Sequence, residues 1–350
     1  MINTTTSETT NSIVAESEFG GILGMALANR ETRLHPAFDS ALRVFNGFYE
    51  GYPDLSVDIY GRTLVIHNYA SEPANAGHAV AKARDFYEER LPWLKATVVK
   101  SRYSKLEEEK RGLLVKGDSA ERVIRENGVA YAIDIMLNQD TSFYLDTRHL
   151  REWLTENMTG KTVLNTFAYT GSLGIAALAG GARRVIQTDI SRAFLNVARD
   201  STLRNGFLLE KANFVNGDFW AKTASLKREN VLLDCVIVDP PLYSKTRGGT
   251  VDLAASYGGI LNKIRPLIAD NGYLITINNA LFISGKAHME FLNQQCEGGY
   301  LTVESIVPVP EDFIGATSLD SLALPADPTP FNHSTKIVIL KVKRKDGRVS

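Results

Sequence analysis

The stretch NTFAYTGSLGIAALAGGARRVIQTDIS, residues 165–191, decides the fold of this chain. It predicts a strand, a tight turn at Gly171, a helix of small residues and a second strand that ends in Asp189. The alternation continues, with helices predicted over 192–206, 221–230 and 255–272 and strands over 212–219, 234–241, 273–279, 301–310 and 335–345. Repeated strand–helix units of this kind predict a parallel, doubly wound sheet with helices on both faces.

The remainder of the chain predicts a tail, a small domain and a connecting hairpin. Residues 1 to about 18 are rich in Ser, Thr and Asn, and we predict an irregular segment over 1–33. Residues 34–118 mix aromatic and β-branched runs with turn residues, which predicts a small α+β domain. In ERVIRENGVAYAIDI (121–135), the dipeptide Asn127-Gly128 favours a type I′ turn and therefore a hairpin. We expect this hairpin to connect the small domain to a second domain over 119–350.

Composition and charge exclude several classes of protein. With 44% hydrophobic and 23% charged residues among 350, the chain is neither disordered nor fibrous. The formal charge of −1, from 39 Lys+Arg and 40 Asp+Glu, gives no basic excess for non-specific binding to nucleic acid. We expect a soluble, cytoplasmic protein without a membrane partner, because a long apolar run and a secretory start are both missing. Cys235 and Cys296 fit a reducing compartment and do not fall at zinc-ligand spacing, so no metal is expected.

Three predicted strands end with an acidic residue in their last positions, at the edge where doubly wound sheets bind ligands. Asp189 lies 18 positions after Gly171, a separation typical of an acid that meets ribose hydroxyls. Asp218 precedes an aromatic residue, and Asp239 begins the turn Asp-Pro-Pro-Leu-Tyr. Because no G-x-G-x-x-G loop is present to hold a diphosphate, these features favour S-adenosylmethionine over NAD. Simpler alternatives are ordinary turn glycines and aspartates that cap helices.

Four stretches carry a resemblance to a known family, and they are 41–61 (ALRVFNGFYEGYPDLSVDIYG), 140–151 (DTSFYLDTRHLR), 165–191 and 234–245 (DCVIVDPPLYSK). From about Leu42 to Lys345 the chain resembles the large-subunit ribosomal RNA methyltransferases, which include C5-cytosine enzymes and the N7-guanine half of a bifunctional enzyme. The resemblance implies a Rossmann-like class I methyltransferase sheet, mostly parallel and seven-stranded. It also implies S-adenosylmethionine as the methyl donor and a central domain that faces RNA.

The resemblance further implies which residues hold the cofactor. They are Tyr144, Asp146 and Arg148 at its methionine end, Phe167, Tyr169 and Gly171 at its turn, Asp189 at the ribose with Ser191 beside it, and Asp218 and Phe219 at the adenine. Asp239 is expected to serve both the cofactor and the target base.

The chain departs from the family at its start and at the catalytic nucleophile. Many family members begin with a compact RNA-binding PUA domain, whereas here we expect only the segment 1–33, so RNA capture would be weaker or delegated.

Methylation at C5 of cytosine requires attack by a thiolate. The positions where C5-cytosine enzymes carry that cysteine hold Leu242-Tyr243 and Asn278-Asn279. Cys235 lies roughly 13 Å back along its strand, at ~3.3 Å per residue, and is expected in the core.

Without a thiol, the methyl acceptor must already carry a lone pair, as guanine N7 or an exocyclic amine does. The stretch ITINNALF (275–282) resembles the N7-guanine branch, and Asn278 and Asn279 could contact a base edge or begin a polar helix. We predict direct, non-covalent transfer to a base nitrogen of ribosomal RNA. Asp239 with Pro240 and Pro241 would align the base, and Tyr243 would stack on it. The RNA is expected to be single-stranded or locally opened.

Other functions stay open at this point. The same turn can present an amine of a protein or a small molecule, and a non-catalytic RNA-binding or ribosome-assembly factor could retain the sheet. An NAD oxidoreductase ranks last because the glycine fingerprint is missing. The basic segment Lys95–Lys105, with Lys100 and Arg102 as the residues to test, is either an RNA contact or a solvated charged face.

Overall fold

The computed structural model describes residues 18–246, 248–253, 257–315 and 325–350. Within these residues the chain forms two units. The smaller unit comprises 18–125, 134–141 and 311–315, and the larger comprises 126–133, the described part of 142–310, and 325–350. None of the helices in these described ranges is both long enough and apolar enough to cross a bilayer.

The smaller unit is a five-stranded sheet with helices. Its strands are β1 (Ala41–Asn46), β2 (Leu55–Tyr60), β3 (Thr63–Asn68), β4 (Ala96–Ser101) and β5 (Leu113–Lys116), and its helices are α1 (18–28), α2 (Gly47–Glu50), α3 (Gly77–Arg90), α4 (Glu107–Arg111) and, late in the chain, α11 (Glu311–Ile314). The strands follow the order β1-β2-β3-β4-β5. Only β3 and β4 pair in parallel, and α3 supplies the crossover that a parallel pair requires. An α+β unit is what the sequence predicted.

The irregular segment predicted over 1–33 is wrong at 18–28, where α1 forms, while residues 1–17 lie outside the described part. Phe19, Leu23 and Leu27 of α1 are buried in the hydrophobic core of the smaller unit. Their spacing of four residues places them on one side of a helix. The polar composition of the preceding residues hid this pattern. Beyond the helix, buried Arg30 pairs with Glu50 at 2.7 Å.

The predicted hairpin is confirmed. Its strands are β6 (Val123–Glu126) and β7 (Val129–Ala132), which form a two-stranded sheet. Asn127 and Gly128 have φ values of 50° and 78°, as both central residues of a type I′ turn require. The division between the two units falls within β6, after Arg125.

The larger unit is built on a seven-stranded sheet. Its strands are β8 (Thr162–Thr166), β9 (Arg184–Asp189), β10 (Ala212–Asn216), β11 (Leu233–Val238), β14 (Ile268–Asn278), β15 (Leu301–Val307) and β16 (Lys336–Val342), with a separate hairpin of β12 (Tyr243–Lys245) and β13 (Thr250–Asp252). Its helices are α5 (Arg148–Asn157), α6 (Ser172–Ala179), α7 (Arg192–Arg204), α8 (Phe219–Arg228), α9 (Tyr257–Ile264) and α10 (Gly285–Cys296). The strand order is β10-β9-β8-β11-β14-β16-β15. The first five strands are parallel and β16 is antiparallel to both neighbours, so the mostly parallel, seven-stranded sheet is confirmed.

The helix predicted over 255–272 is wrong after Ile264. Pro266 has no amide hydrogen, so it cannot continue the hydrogen bonding of an α-helix, and a 3₁₀ turn forms over Arg265–Leu267. Strand β14 then begins at Ile268, five residues earlier than predicted. Residues 255 and 256 lie outside the described part.

The strand order reverses between β8 and β11, and this reversal positions the site. From β8 the chain moves outward to β9 and β10 and then returns to β11 on the other side. Thr166 and Val238, the last residues of β8 and β11, are paired in register. Because the chain continues from these two neighbouring strands in opposite directions along the sheet, a crevice is expected beyond their carboxyl ends.

Candidate functional site

A cleft of about 240 Å³ lies at this edge of the sheet, entirely within the larger unit. Nine residues predicted from the sequence line it, and they are Tyr144, Phe167, Tyr169, Asp189, Asp218, Phe219, Asp239, Pro240 and Pro241. Asn279, one of the two asparagines that the sequence offered as a base contact, lines it as well. Further lining residues, which the sequence reasoning did not place there, are Thr188, Ile190, Phe194, Gly217, Ser244, Thr246 and Val251.

The turn after β8 forms one wall of the cleft in a strained backbone conformation. Phe167 and Tyr169 both have φ of 52°, a left-handed value that side chains larger than glycine rarely adopt. The surrounding structure holds the turn in place, because the Ala168 amide donates to the Thr188 carbonyl and the Tyr169 amide donates to the Asp189 carboxylate, both at 2.9 Å. Strain that is maintained in this way clusters at functional sites.

The stretch before α5 is tied to the same turn. The Ser142 amide donates to the Tyr169 hydroxyl at 3.1 Å, and the Thr170 hydroxyl donates to the Ser142 carbonyl. These bonds bring Tyr144 to the cleft, where its ring lies 5.2 Å from that of Tyr169. Residues 140–151 and 165–191 therefore build one site although they are separate in sequence.

Aromatic rings line the side of the cleft between β8 and β10. Phe167 stacks on Phe219 with ring centroids 4.9 Å apart and planes at 23°. Tyr169 meets Phe194 edge to face at 4.6 Å. Apolar faces with this geometry suit a flat heterocycle such as adenine. Phe194 was missed because it lies in a helix, with only its position three residues after the helix cap Ser191 as a signal.

Asp189 ends β9 and accepts two backbone hydrogen bonds. Its carboxylate oxygens accept from the amides of Tyr169 at 2.9 Å and of Ser191 at 2.7 Å. Partial burial raises the pKa of this carboxyl, and the backbone amides oppose that rise. A carboxylate can accept about four hydrogen bonds, so Asp189 retains capacity for hydroxyl groups of a ligand.

Asp218 caps α8 and also fastens the β12–β13 hairpin. One carboxylate oxygen accepts from the amides of Trp220 and Ala221, and the other accepts from the Thr246 hydroxyl. Gly249 lies so close that a Cβ there would come within 2.7 Å of the Trp220 indole nitrogen. The hairpin is thereby held as a wall of the cleft. The Gly-Gly pair between YSK and TVD is the sequence signal that could have predicted it.

Asp239 follows β11 at the centre of the cleft. Burial, and secondarily the negative charge of Asp146, raises the pKa of the Asp239 carboxyl to about 7. Asp146 lies outside the cleft lining and accepts a hydrogen bond from the Thr335 hydroxyl at 2.9 Å. A carboxyl with this pKa exists in both protonation states near neutral pH, which suits it to exchange a proton with a ligand.

The two asparagines after β14 face different surroundings. Asn278 is buried, with its side-chain oxygen accepting from the Ala280 amide at 3.0 Å and its nitrogen 3.4 Å from His288 Nδ1. The prediction that Asn278 contacts substrate is therefore wrong, whereas exposed Asn279 lines the cleft. Asn278 is the last residue of β14, and Asn279 follows it outside the strand, where it reaches the cleft.

Other predicted residues support the cleft from outside its lining. Gly171 begins α6 with φ of 78°, and a Cβ there would meet Ala198 and Gln187 at 2.5 Å, so close packing within the protein explains this glycine. The Ser191 hydroxyl caps α7. The Arg148 guanidinium lies 3.4 Å from the Glu126 carboxylate. Tyr243 is 61% exposed beside the cleft.

Neither cysteine of the chain lines the cleft. Cys235 is fully buried in β11, as predicted, and burial strongly raises the pKa of its thiol. Cys296 packs partly buried against the core, and burial raises the pKa of its thiol as well. Among the described residues, no three His, Cys, Asp or Glu side chains are grouped so that they could hold a metal ion.

The structure corrects the expectation for Lys100 in the smaller unit. This side chain is 2% exposed, and its ammonium donates to the carbonyls of Ile135 at 2.6 Å and Asn138 at 2.9 Å, and also to that of Arg111. Lys100 therefore fastens two loops and is not available to RNA. Arg102 is partly exposed and pairs with Asp140 at 2.9 Å.

Comparisons with known proteins agree with this fold. The family model for S-adenosylmethionine-dependent methyltransferases matches residues 97–312, and the chain belongs to this family. Ribosomal RNA large subunit methyltransferase I of Photobacterium profundum is 30% identical over 241 residues, which are 67% of this chain and 60% of the relative. The chain thus spans less than two thirds of that relative's length.

Two further comparisons extend over more of the chain. YwbD of Bacillus subtilis, whose name assigns it provisionally to the ribosomal RNA large subunit methyltransferases, is 28% identical over 82% of this chain and 73% of its own length. The crystal structure of SMU.776 complexed with SAH is similar with a TM-score of 0.79 and 21% identity, covering 93% of this chain and 82% of that one. At 21% identity, this similarity shows that the two chains share a fold.

S-adenosylmethionine is the cofactor of this family, and the residues of the cleft fit it. The aromatic walls suit an adenine ring, and Asp189 has lone pairs available for ribose hydroxyls. The Asp239 carboxyl suits the positive sulfonium of the cofactor, a charge that S-adenosylhomocysteine lacks. Asp218, by contrast, is already engaged by α8 and by Thr246.

Proposed function

We propose that this protein transfers a methyl group from S-adenosylmethionine directly to a base nitrogen of ribosomal RNA, either guanine N7 or an exocyclic amine. The observation that carries the proposal is the pairing of a central carboxyl, Asp239, with a cleft that neither cysteine lines. C5-cytosine chemistry needs a thiolate beside the base. Nitrogen acceptors need only orientation, exclusion of water and, for an amine, a proton acceptor.

The residues of the cleft have distinct parts in the proposed reaction. When bound, the cofactor would supply an activated methyl group, and the sulfur–methyl bond would break as the nitrogen–methyl bond forms, leaving S-adenosylhomocysteine. Asp239 orients the base edge and, in its ionised form, accepts a hydrogen bond or proton from an exocyclic amine. Pro240 and Pro241 restrict the backbone beside it, since proline fixes φ. Asn279 offers an amide that both donates and accepts.

The choice of RNA as substrate draws on the relatives. The Photobacterium profundum relative is named for the large-subunit ribosomal RNA, and we extend that substrate class to this chain. A base must leave its stack to enter a cleft at the edge of a sheet, so we propose a single-stranded or locally opened site. The reaction would take place in the cytoplasm, where ribosomal RNA is made in bacteria.

Methyl transfer from tritiated S-adenosylmethionine to deproteinised ribosomal RNA, with nucleosides identified by mass spectrometry, tests the proposal. We expect label in a nitrogen-methylated purine. Asp239→Ala should bind S-adenosylhomocysteine and lose transfer, because the carboxyl acts on the acceptor. Cys235→Ser, on the strand that precedes Asp239, is the matched control and should retain both.

Four results would contradict the proposal, in three different ways. Label in 5-methylcytosine, or loss of transfer in Cys235→Ser, would refute the non-covalent reaction. Label in protein or in small molecules alone would indicate a different methyl acceptor. Failure of the wild-type chain to bind S-adenosylhomocysteine in calorimetry, with RNA binding retained, would indicate a non-catalytic RNA-binding factor.

A further inference from the structure

An exposed apolar turn follows β14 beside the cleft. Leu281 and Phe282 occupy its tip and are 55% and 57% exposed. The Ile283 amide donates to the Ala280 carbonyl at 3.3 Å and closes the turn. Ala280 is buried and Ile283 packs against the core, so both ends of the turn are anchored while its tip meets solvent.

A second exposed apolar pair follows the neighbouring strand. Leu242 and Tyr243, after β11, are 47% and 61% exposed. The Leu242 carbonyl accepts a hydrogen bond from the Leu253 amide at 3.0 Å, which fixes the backbone there. Because β11 and β14 pair in parallel, with Val238 beside Thr276, both segments leave the sheet at the same edge.

The residues between the strand ends and these two exposed pairs are polar or rigid and line the cleft. They are Asp239, Pro240 and Pro241 after β11, and Asn279 after β14. Each segment thus runs from a polar residue at the cleft to an apolar side chain at its rim. A nucleobase has the same division of character, with two apolar faces and a polar edge.

We propose that Phe282, on the turn after β14, is a base-contacting residue, and that with Tyr243 it forms a stacking rim for the unstacked base of a single-stranded RNA. The proposal rests on the proposed function and deepens it, since it assigns the residues that hold the substrate. Asp239 and Asn279 meet the edge of the base, and the rim covers its faces. Solvent exposure of an aromatic ring at this position is otherwise unfavourable, because it leaves apolar surface in water.

Binding of the full chain to polyadenylate tests the rim, with binding to S-adenosylhomocysteine measured in parallel. Stacking on one aromatic side chain contributes ~1–3 kcal/mol per base, which corresponds to roughly 5- to 150-fold in affinity. We expect Phe282→Ala to weaken polyadenylate binding by a factor in this range. The dependence of binding on salt should not change, because the ring carries no charge.

Matched variants separate stacking from general damage. Phe282→Trp should retain affinity, because it keeps an aromatic face. Leu208→Ala should have no effect on affinity. Leu208 is a 56% exposed apolar residue that follows α7 in the chain. S-adenosylhomocysteine should bind all three variants as it binds the wild-type chain.

The possible failures are distinguishable. If the wild-type chain binds and methylates RNA while Phe282→Ala binds polyadenylate normally, the rim is refuted and the proposed function stands. If the wild-type chain methylates protein and not RNA, the proposed function is refuted together with the rim. Equal losses in Phe282→Ala and Phe282→Trp, or a loss of S-adenosylhomocysteine binding, would also refute the stacking role.

Discussion

The substitution Asp239→Asn is expected to stabilise the larger unit at high pH while it abolishes methyl transfer. Burial and the Asp146 charge raise the pKa of the Asp239 carboxyl from 3.8 to about 7. In the folded protein this carboxyl therefore holds its proton more tightly than in the unfolded chain. Asparagine keeps the shape of the neutral acid and never ionises, so it avoids the cost of placing a negative charge in the cleft.

The size and sign of the effect follow from linkage between folding and protonation. The pKa of Asp239 rises by about three pH units, and each unit corresponds to ~1.4 kcal/mol. Ionised Asp239 therefore lowers the free energy of unfolding by about 4 kcal/mol relative to the neutral acid. Between about pH 4 and pH 7 the folded state binds more protons than the unfolded state, so the free energy of unfolding of the wild-type protein falls as pH rises. Below this window Asp239→Asn and wild type should be similarly stable. Above pH 7 the variant should be more stable by up to about 4 kcal/mol.

Unfolding in urea without cofactor measures this difference. Hydrogen exchange of peptides from β8 and β11 monitors the unfolding of the larger unit alone. The surface substitution Asp200→Asn on α7 is the control and should give no gain that grows with pH. A constant difference between Asp239→Asn and wild type across the range would refute the reasoning, as would a larger gain at low pH. The activity of the wild-type protein should show the opposite trend, rising to a plateau above about pH 7 if ionised Asp239 accepts a proton.

Two further predictions concern residues that support or line the cleft. Gly171→Ala should lower the free energy of unfolding in urea by ~1–3 kcal/mol, because the new Cβ meets Ala198 and Gln187 at 2.5 Å in a left-handed backbone. In the control Gly181→Ala, φ is 79° but the nearest neighbour of the new Cβ lies at 3.5 Å, so the loss should be smaller. Equal losses would contradict the packing argument. Thr246→Val should weaken S-adenosylhomocysteine binding in calorimetry roughly 3- to 10-fold, since it loses a hydrogen bond to Asp218 worth about 1 kcal/mol. Thr246→Ser keeps the hydroxyl and should bind S-adenosylhomocysteine normally. Equal affinities of the two variants would show that this bond does not hold the wall.

The sequence predicted the fold well where the signal was local. Strand–helix alternation over 165–241 and the Asn127-Gly128 turn depend on residues close in the chain, and both were confirmed. Helix α1 was missed because polar residues before it obscured its apolar spacing. The helix predicted over 255–272 was too long because the effect of Pro266 was not weighed against the helical pattern around it.

The candidate site was predicted less completely, for a reason that its residues illustrate. The sequence offered Asn278 and Asn279 alike as base contacts, but Asn278 is buried against Ala280 and His288, and only Asn279 reaches the cleft. The sequence predicted Lys100 to be a surface cation. In the structure its ammonium is enclosed by carbonyls from residues up to 38 positions away in the chain. Such contacts join parts of the chain that no local pattern relates.

The sequence by itself determined the parallel sheet, the acids at the ends of its strands and the position of Cys235 four residues before Asp239. Each of these follows from residue order and side-chain periodicity along one segment. Only the tertiary structure decided that Asn279 and Thr246 line the cleft and that the pKa of Asp239 lies near 7. Both outcomes depend on burial and on distances between residues remote in sequence, which arise when the strands pair and the cleft closes around them.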